Sequence, residues 1–323
     1  MGQLLTFIQQ QDGIVSRVSL EALKGAQELA ALLNHSLAGI VFGPETIPDE
    51  LAATRLDEVL LVPAPELAAY SPEHYVAAMD EILSAEAPDL LIAGHTYQAR
   101  DWLPRLARRR ERPLISDCVG YHHNGELFWV RHIFQGKISA DVTTTPGLVI
   151  VSFQAGAFRS DDLGSGSPTV RTLDIDLSQV PSRVHPGERF QDTKGIVDLG
   201  RAERIVAVGR GIGEEENLAL VRELADTLEA GLGSSRPVID YGWLPHDHQV
   251  GSSGQTVSPK LYLSVGLSGA IQHQVGMKNS NCIVAINKDP NAPIFEIADY
   301  GIVADLLEIV PRLTTALKER QEG

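Results

Sequence analysis

The sequence predicts an α/β protein made of two doubly wound domains, each built on a parallel sheet. Three features carry this expectation. Short apolar runs alternate with helical patterns through the first half; the composition turns to Gly, Ser and Pro over residues 156–204; and the alternation restarts at Arg204. A chain of 323 residues is long enough for two domains with a core each, which we place at residues 1–190 and 191–323.

In chain order, residues 4–8, 37–42, 59–62 and 90–93 are apolar runs of strand length, as expected of strands buried on both faces. Between them, Ser19 is a candidate N-cap for a helix with Leu23, Ala26, Ala30 and Leu33 on one face. A second helix over residues 74–83 carries Val76, Met79, Ile82 and Leu83. Residues 126–137 break the rhythm with strand formers such as Phe128, Trp129, Val130, Ile133 and Phe134, and residues 148–153 form a further strand. His122 and His123, beside Asn124-Gly125, read as a turn. Residues 160–168, with Pro181, Pro186 and Gly187 after them, mark a partly ordered boundary that still holds a candidate strand at 170–177. The second half opens with a strand at 204–208. A helix over 214–229 follows, with Leu218, Val221, Leu224, Ala225 and Leu228 on one stripe. Strands are expected at 238–240, 261–265 and 282–286, and a closing helix runs from Asp305 and bends at Pro311.

With 43% hydrophobic residues the chain is too apolar to be disordered, and no apolar run approaches the ~18 residues of a membrane span. The formal charge of −15 argues against a nucleic-acid partner, which needs a basic face. The one basic cluster, Arg105, Arg108, Arg109, Arg110 and Arg112, continues a helical pattern and reads as a solvated helix end, with a docking patch as the alternative. Cys118 and Cys282 are too far apart for metal-ligand spacing. Both sit in apolar stretches, as small core residues of a chain in a reducing compartment do. Residues 1–6 match the myristoylation pattern in form but run straight into the first strand. No leader precedes it, so a cytoplasmic location is expected.

Two glycine-rich turns of the second half follow strands and open helices, the geometry that offers backbone N–H groups to a phosphate: Gly209-Arg210-Gly211-Ile212-Gly213, and the segment from Gly266 to His273. Each taken singly is equally a plain strand-to-helix turn that needs glycine. Glu214, Glu215 and Glu216 after the first turn would repel a pyrophosphate, whereas the second turn has no acid, so the pyrophosphate is assigned to Ser268–Gln272 with Arg210 in support. Gly269→Asp is then expected to expel the ligand with the fold retained. Between the turns, residues 242–254 form a polar, glycine-rich loop whose His246 and His248 read as water-exposed rather than as metal ligands, since no third ligand lies at the right spacing. No metal site is expected.

These residues converge on a family. Residues 206–311 closely resemble the FAD-binding domain of the electron-transfer flavoprotein α subunit. The matching blocks are 209–211, Gly-Ser-Ser-Arg at 233–236, Gln249-Val250-Gly251-Ser252-Ser253-Gly254, residues 265–273, Val-Ala-Ile-Asn-Lys-Asp-Pro at 284–290, 292–295 and 298–306. The first half resembles the family's N-terminal domain more loosely, best at 101–109, 113–117 and 130–136. Two departures stand out: Ser252-Ser253 where the family often has Gln-Thr, and His246-Asp247-His248 where it often has Asn-Asp-Met.

The resemblance implies a flavodoxin- or Rossmann-like C-terminal domain that binds FAD, and a nucleotide-hydrolase-like N-terminal domain that contacts a β subunit. It implies an electron carrier that works as an αβ heterodimer. Such a carrier takes electrons from flavin dehydrogenases, such as acyl-CoA dehydrogenases of fatty acid β-oxidation, and passes them to a membrane quinone oxidoreductase. The alternative is the α subunit of an electron-bifurcating, NADH-oxidising complex. By the same resemblance Arg236 lies over the isoalloxazine and stabilises a one-electron-reduced, anionic flavin. Ser253 bonds the N5 edge, and His273 lies near carbonyl O2. Ser268, Gly269, Ala270, Ile271 and Gln272 hold the ribityl–pyrophosphate region, while Asn287, Asp305 and Leu306 hold the adenosine end. Arg210, Ser235, Gln249, Val250, Gly251 and Ser252 complete the implied binding set.

Overall fold

A strand covered on both faces needs apolar residues at odd and even positions alike. The computed structural model describes residues 2–134, 136–161, 163–184, 186–187, 199–200 and 202–322. The chain divides into two compact units, Met1–Arg189 and Phe190–Gly323. The boundary read from the sequence, between 190 and 191, lies outside the described residues.

The first unit contains β1 (Gln3–Ile8), the short ribbon β2 (Gln10–Gln11) and β3 (Ile14–Val15), α1 (Arg17–Leu33), β4 (Ser36–Phe42), α2 (Asp49–Ala52) and β5 (Glu58–Val62). It continues through α3 (Pro72–Glu86), β6 (Leu90–Gly94), α4 (Tyr97–Arg110), β7 (Leu114–His123), β8 (Leu127–Ile133), β9 (Ile138–Val142), β10 (Val149–Phe153) and β11 (Thr169–Thr172). Its main sheet runs β11-β5-β4-β1-β6-β10-β7-β8-β9. The strands are parallel from β11 to β7, and β8 and β9 add an antiparallel meander. That meander is the break in rhythm at 126–137. Alternate residues of β1 serve opposite cores: Leu5 and Phe7 pack with Trp102 and Ile40, Leu4 and Ile8 with Val41 and Phe153.

Several local expectations are corrected here. Ser16, in extended geometry, precedes α1, while Ser19 lies inside it, buried, its Oγ accepting from Gln9 N–H at 2.9 Å. His122 and His123 finish β7, and Gly125, at φ +86°, makes the turn. Only 169–172 of the candidate strand at 170–177 pairs, while Ile175 and Leu177 leave the sheet edge and enter the core. The arginines at the end of α4 are tied locally: Arg109 and Arg110 both reach Asp80, at 2.7 and 3.0 Å, and Arg108 reaches Glu111 at 3.2 Å. Cys118 is buried as expected, but Cys282 is only half-buried.

The second unit comprises β12 (Arg204–Val208), α5 (Leu218–Thr227), β13 (Gly231–Ser234), α6 (Arg236–Asp240), β14 (Leu261–Val265), α7 (Ile271–Gln274), β15 (Ile283–Asn287), β16 (Tyr300–Val303) and α8 (Leu306–Glu322). Its sheet is wholly parallel in the order β13-β12-β14-β15-β16. Again alternate residues face opposite cores, Val206 and Val208 against Leu224 and Val310, Ile205 and Ala207 against Tyr262 and Ile283. The strand expected at 238–240 is helix α6, because Ser235 in extended geometry and Pro237 in the first turn start a helix there. The true strand is Gly-Leu-Gly-Ser, too poor in β-formers to be read as one. No helix among the described residues is long and apolar enough to cross a membrane.

Candidate functional site

From β12 the chain passes through α5 to β13 on one side, then crosses to β14 on the other. The crevice beyond the carboxyl ends of β12 and β14 is therefore the topological switch point, where open α/β sheets receive ligands. Both glycine turns sit there, one after each strand. They are locked backbone to backbone: Gly209 N–H donates to Val265 O at 2.8 Å and Gly211 N–H to Gly266 O at 3.0 Å. A Cβ on Gly211 would stand 2.7 Å from the Gly266 carbonyl, so only glycine lets the two turns meet.

Beside them lies a cavity of about 470 Å³. Its lining includes Gly211, Gly213 and Glu214 from the first turn, Gly266 from the second, and Asn287, Lys288, Asp305 and Leu306. Asn287 is oriented by two bonds, Nδ2 to Leu267 O at 2.7 Å and Oδ1 from Asp289 N–H at 2.9 Å. Asp305 Oδ1 accepts from Leu307 N–H at 2.9 Å and so caps α8. Of the residues expected at the adenosine end, all three are brought together here. Gly211 and Gly266 of the two glycine turns join them, as does Lys288 just after β15, which the sequence offers only as part of the 284–290 block.

The residues expected around the flavin and ribityl chain lie on neighbouring segments at the same sheet end. Ser235 is buried at the start of α6, whereas Arg236 is exposed, its Nε 3.5 Å from Asp240 Oδ2. Gln249 and Val250 are buried, and Gln249 Nε2 donates to the hydroxyl of exposed Ser253 at 2.8 Å. Ser252 N–H donates to Gln272 O at 2.8 Å, which ties this loop to the 268–274 segment. His246 is exposed, but His248 is not the water-exposed residue expected: it is buried, Nδ1 2.6 Å from Leu232 O.

The second turn opens α7, a single turn of four residues with little helix dipole. Ser268, Ala270, Ile271 and Gln272 are exposed and lie outside the cavity lining, to which the second turn contributes Gly266 and the first turn Gly211, Ile212 and Gly213. Gly269 is buried at φ +78°, and a Cβ there would overlap the Ile294 backbone. Gly269→Asp therefore strains the fold itself and cannot separate ligand loss from folding.

His273 is buried, and its Nε2 lies 2.8 Å from the hydroxyl of fully buried Tyr262, while Nδ1 makes no hydrogen bond. Burial pushes the imidazole down to about 4, offset in part by the Val250 carbonyl, so the ring is neutral at pH 7. Among the described residues no group of three or more His, Cys, Asp or Glu could hold a metal.

Fold and site together define a dinucleotide-binding α/β protein: a switch-point crevice, two interlocked glycine turns, an acidic residue at a strand end, and a buried polar atom left for a ligand. Residues 198–278 match the model of the electron transfer flavoprotein FAD-binding domain, and residues 4–178 that of the electron transfer flavoprotein domain. The electron transfer flavoprotein subunit alpha of Thermoanaerobacterium thermosaccharolyticum is 36% identical, with 97% of each chain covered. That of Bacillus subtilis is 36% identical over 96% of this chain and 95% of its own. Subunit LctC of the lactate dehydrogenase (NAD(+),ferredoxin) of Acetobacterium woodii is 34% identical over 98% of this chain and 77% of its own. The chain belongs to the electron transfer flavoprotein α-subunit family, and its cofactor is FAD. The cavity, the close approach of glycine backbones and the orphaned His273 Nδ1 fit that group.

Proposed function

We propose that this chain is the FAD-binding half of an αβ electron carrier that accepts electrons from flavin dehydrogenases, such as acyl-CoA dehydrogenases, and delivers them to a membrane quinone oxidoreductase. The observation that carries this reading is the convergence of the interlocked glycine turns, Asn287 and Asp305 on one crevice. FAD, when bound, supplies the redox chemistry. The chain's own residues hold and tune it. Asp305 and Asn287 take the ribose and adenine end, with Leu306 packing beside them and Arg210 and Lys288 offering positive charge to the diphosphate. Ser268, Gly269, Ala270, Ile271 and Gln272 follow the ribityl chain. Ser235, Gln249, Val250, Gly251 and Ser252 shape the flavin end. Ser253 serves the N5 edge, His273 offers a neutral N–H, and Arg236 offers full positive charge to the ring. The β subunit is the second member of the carrier, in a cytoplasmic setting.

The test is co-expression with the β subunit, followed by gel filtration, flavin analysis and stepwise reduction by an acyl-CoA dehydrogenase. We expect a heterodimer with one FAD per α chain that is reduced by the dehydrogenase. A complex without flavin, or one the dehydrogenase cannot reduce, sinks this reading. The name of the Acetobacterium relative supports a second one, an α subunit of a bifurcating complex. Two FAD per heterodimer with NADH oxidation would favour it; one FAD and no NADH oxidation would reject it.

A further inference from the structure

We propose that Tyr262 is a positioning residue for the flavin: its hydroxyl donates to His273 Nε2 and so holds the imidazole in the tautomer that carries its proton on Nδ1, the edge offered to the cofactor. This rests on the reading above that His273 serves the flavin. Tyr262 lies on the central strand β14, fully buried among Ile205, Ala207, Ile283 and Ala285. Among the described residues its hydroxyl bonds His273 alone, at 2.8 Å. The contact allows two proton arrangements. If Nε2–H donated to the tyrosine oxygen, the hydroxyl proton would have no acceptor and Nδ1 would be a bare lone pair, leaving two buried groups unsatisfied. If the hydroxyl donates to Nε2, only the Nδ1–H lacks a well-formed hydrogen bond; the Val250 carbonyl near the ring favours a proton on the imidazole, and a flavin carbonyl can accept the N–H. An unsatisfied buried group is costly, so the arrangement with fewer of them prevails. Burial keeps the phenol well above its ordinary value, so it stays a donor. The imidazole is neutral because burial holds it near 4, so His273 presents an N–H dipole rather than a full positive charge.

The experiment uses the FAD-loaded protein labelled with ¹⁵N at histidine. The wild type is expected to show a protonated Nδ1 and an unprotonated Nε2 for His273 between pH 6 and 8. A proton on Nε2 overturns the proposal without any variant. Tyr262→Phe keeps the ring in the core and removes only the donor. It should retain FAD, mix the two tautomers, and shift the first one-electron reduction equilibrium about fivefold towards oxidised flavin, the weight of about one lost hydrogen bond. An unchanged tautomer and equilibrium in Tyr262→Phe, with a shifted equilibrium in His273→Gln, overturns the role of Tyr262 and leaves the site reading standing. An equilibrium that His273→Gln also leaves unmoved removes His273 from the flavin, and the proposal falls with it.

Discussion

Acid should weaken the second unit through His273. Its imidazole is buried and held at about 4, against 6.5 for an ordinary one. The folded state thus binds this proton less well than the unfolded chain does. The stabilising neutral form is fully present above about pH 7, and stability is lost as pH falls from 6.5 through 4. The interval is worth about 3.4 kcal/mol at about 1.36 kcal/mol per tenfold, of which about 3 is lost by pH 4. That is a large share of the 5–15 kcal/mol typical of a domain. Urea unfolding of the wild type and of His273→Asn at pH 7, 5.5, 4.5 and 4 isolates it, since groups common to both proteins cancel. The asparagine variant should be the less stable at pH 7 and close the gap by about 3 kcal/mol at pH 4. Stability curves that stay parallel across this range would refute the argument.

Arg236→Ala removes only an exposed contact to Asp240, so unfolding should stay within about 1 kcal/mol of wild type. On the proposed placement of Arg236 over the flavin ring, FAD content should hold while the first reduction potential falls; redox titration checks it. Gly269→Ala adds a Cβ into the Ile294 backbone at φ +78°, whereas Gly213→Ala, at φ +83°, meets open space. Thermal melts should show backbone strain alone at the open site and a larger loss at Gly269, where strain and overlap add. Asp305→Ala loses the cap on Leu307 and a cavity carboxylate. It should cost about 1 kcal/mol of stability and weaken FAD binding, measured by fluorescence titration.

The strand runs and the glycine turns were legible because their causes are local. A parallel strand buried on both faces must be apolar throughout, as 4–8 and 204–208 are, and a backbone that closely approaches another must be glycine, as Gly211 is. The order of motifs along 209–306 was equally visible, since each block is contiguous in the chain. Where local signals were weak or misleading, the reading failed. Val238-Ile239-Asp240 looks like a strand until Pro237 starts a helix, and Gly231–Ser234 shows no β-former beyond Leu232.

The chain thus spells out its α/β class, its family and, through the family, the cofactor. Only tertiary structure decided which partners its residues take. Gly211 meets Gly266 across 55 positions, Tyr262 meets His273 from a strand to the turn beyond it, and His248 turns inward to Leu232. The physical reason is that hydrophobic periodicity is written along the chain, whereas the partner of a buried polar group is chosen by strand order and register. A histidine in a polar loop carries no local mark of whether the sheet will leave it in water or close over it.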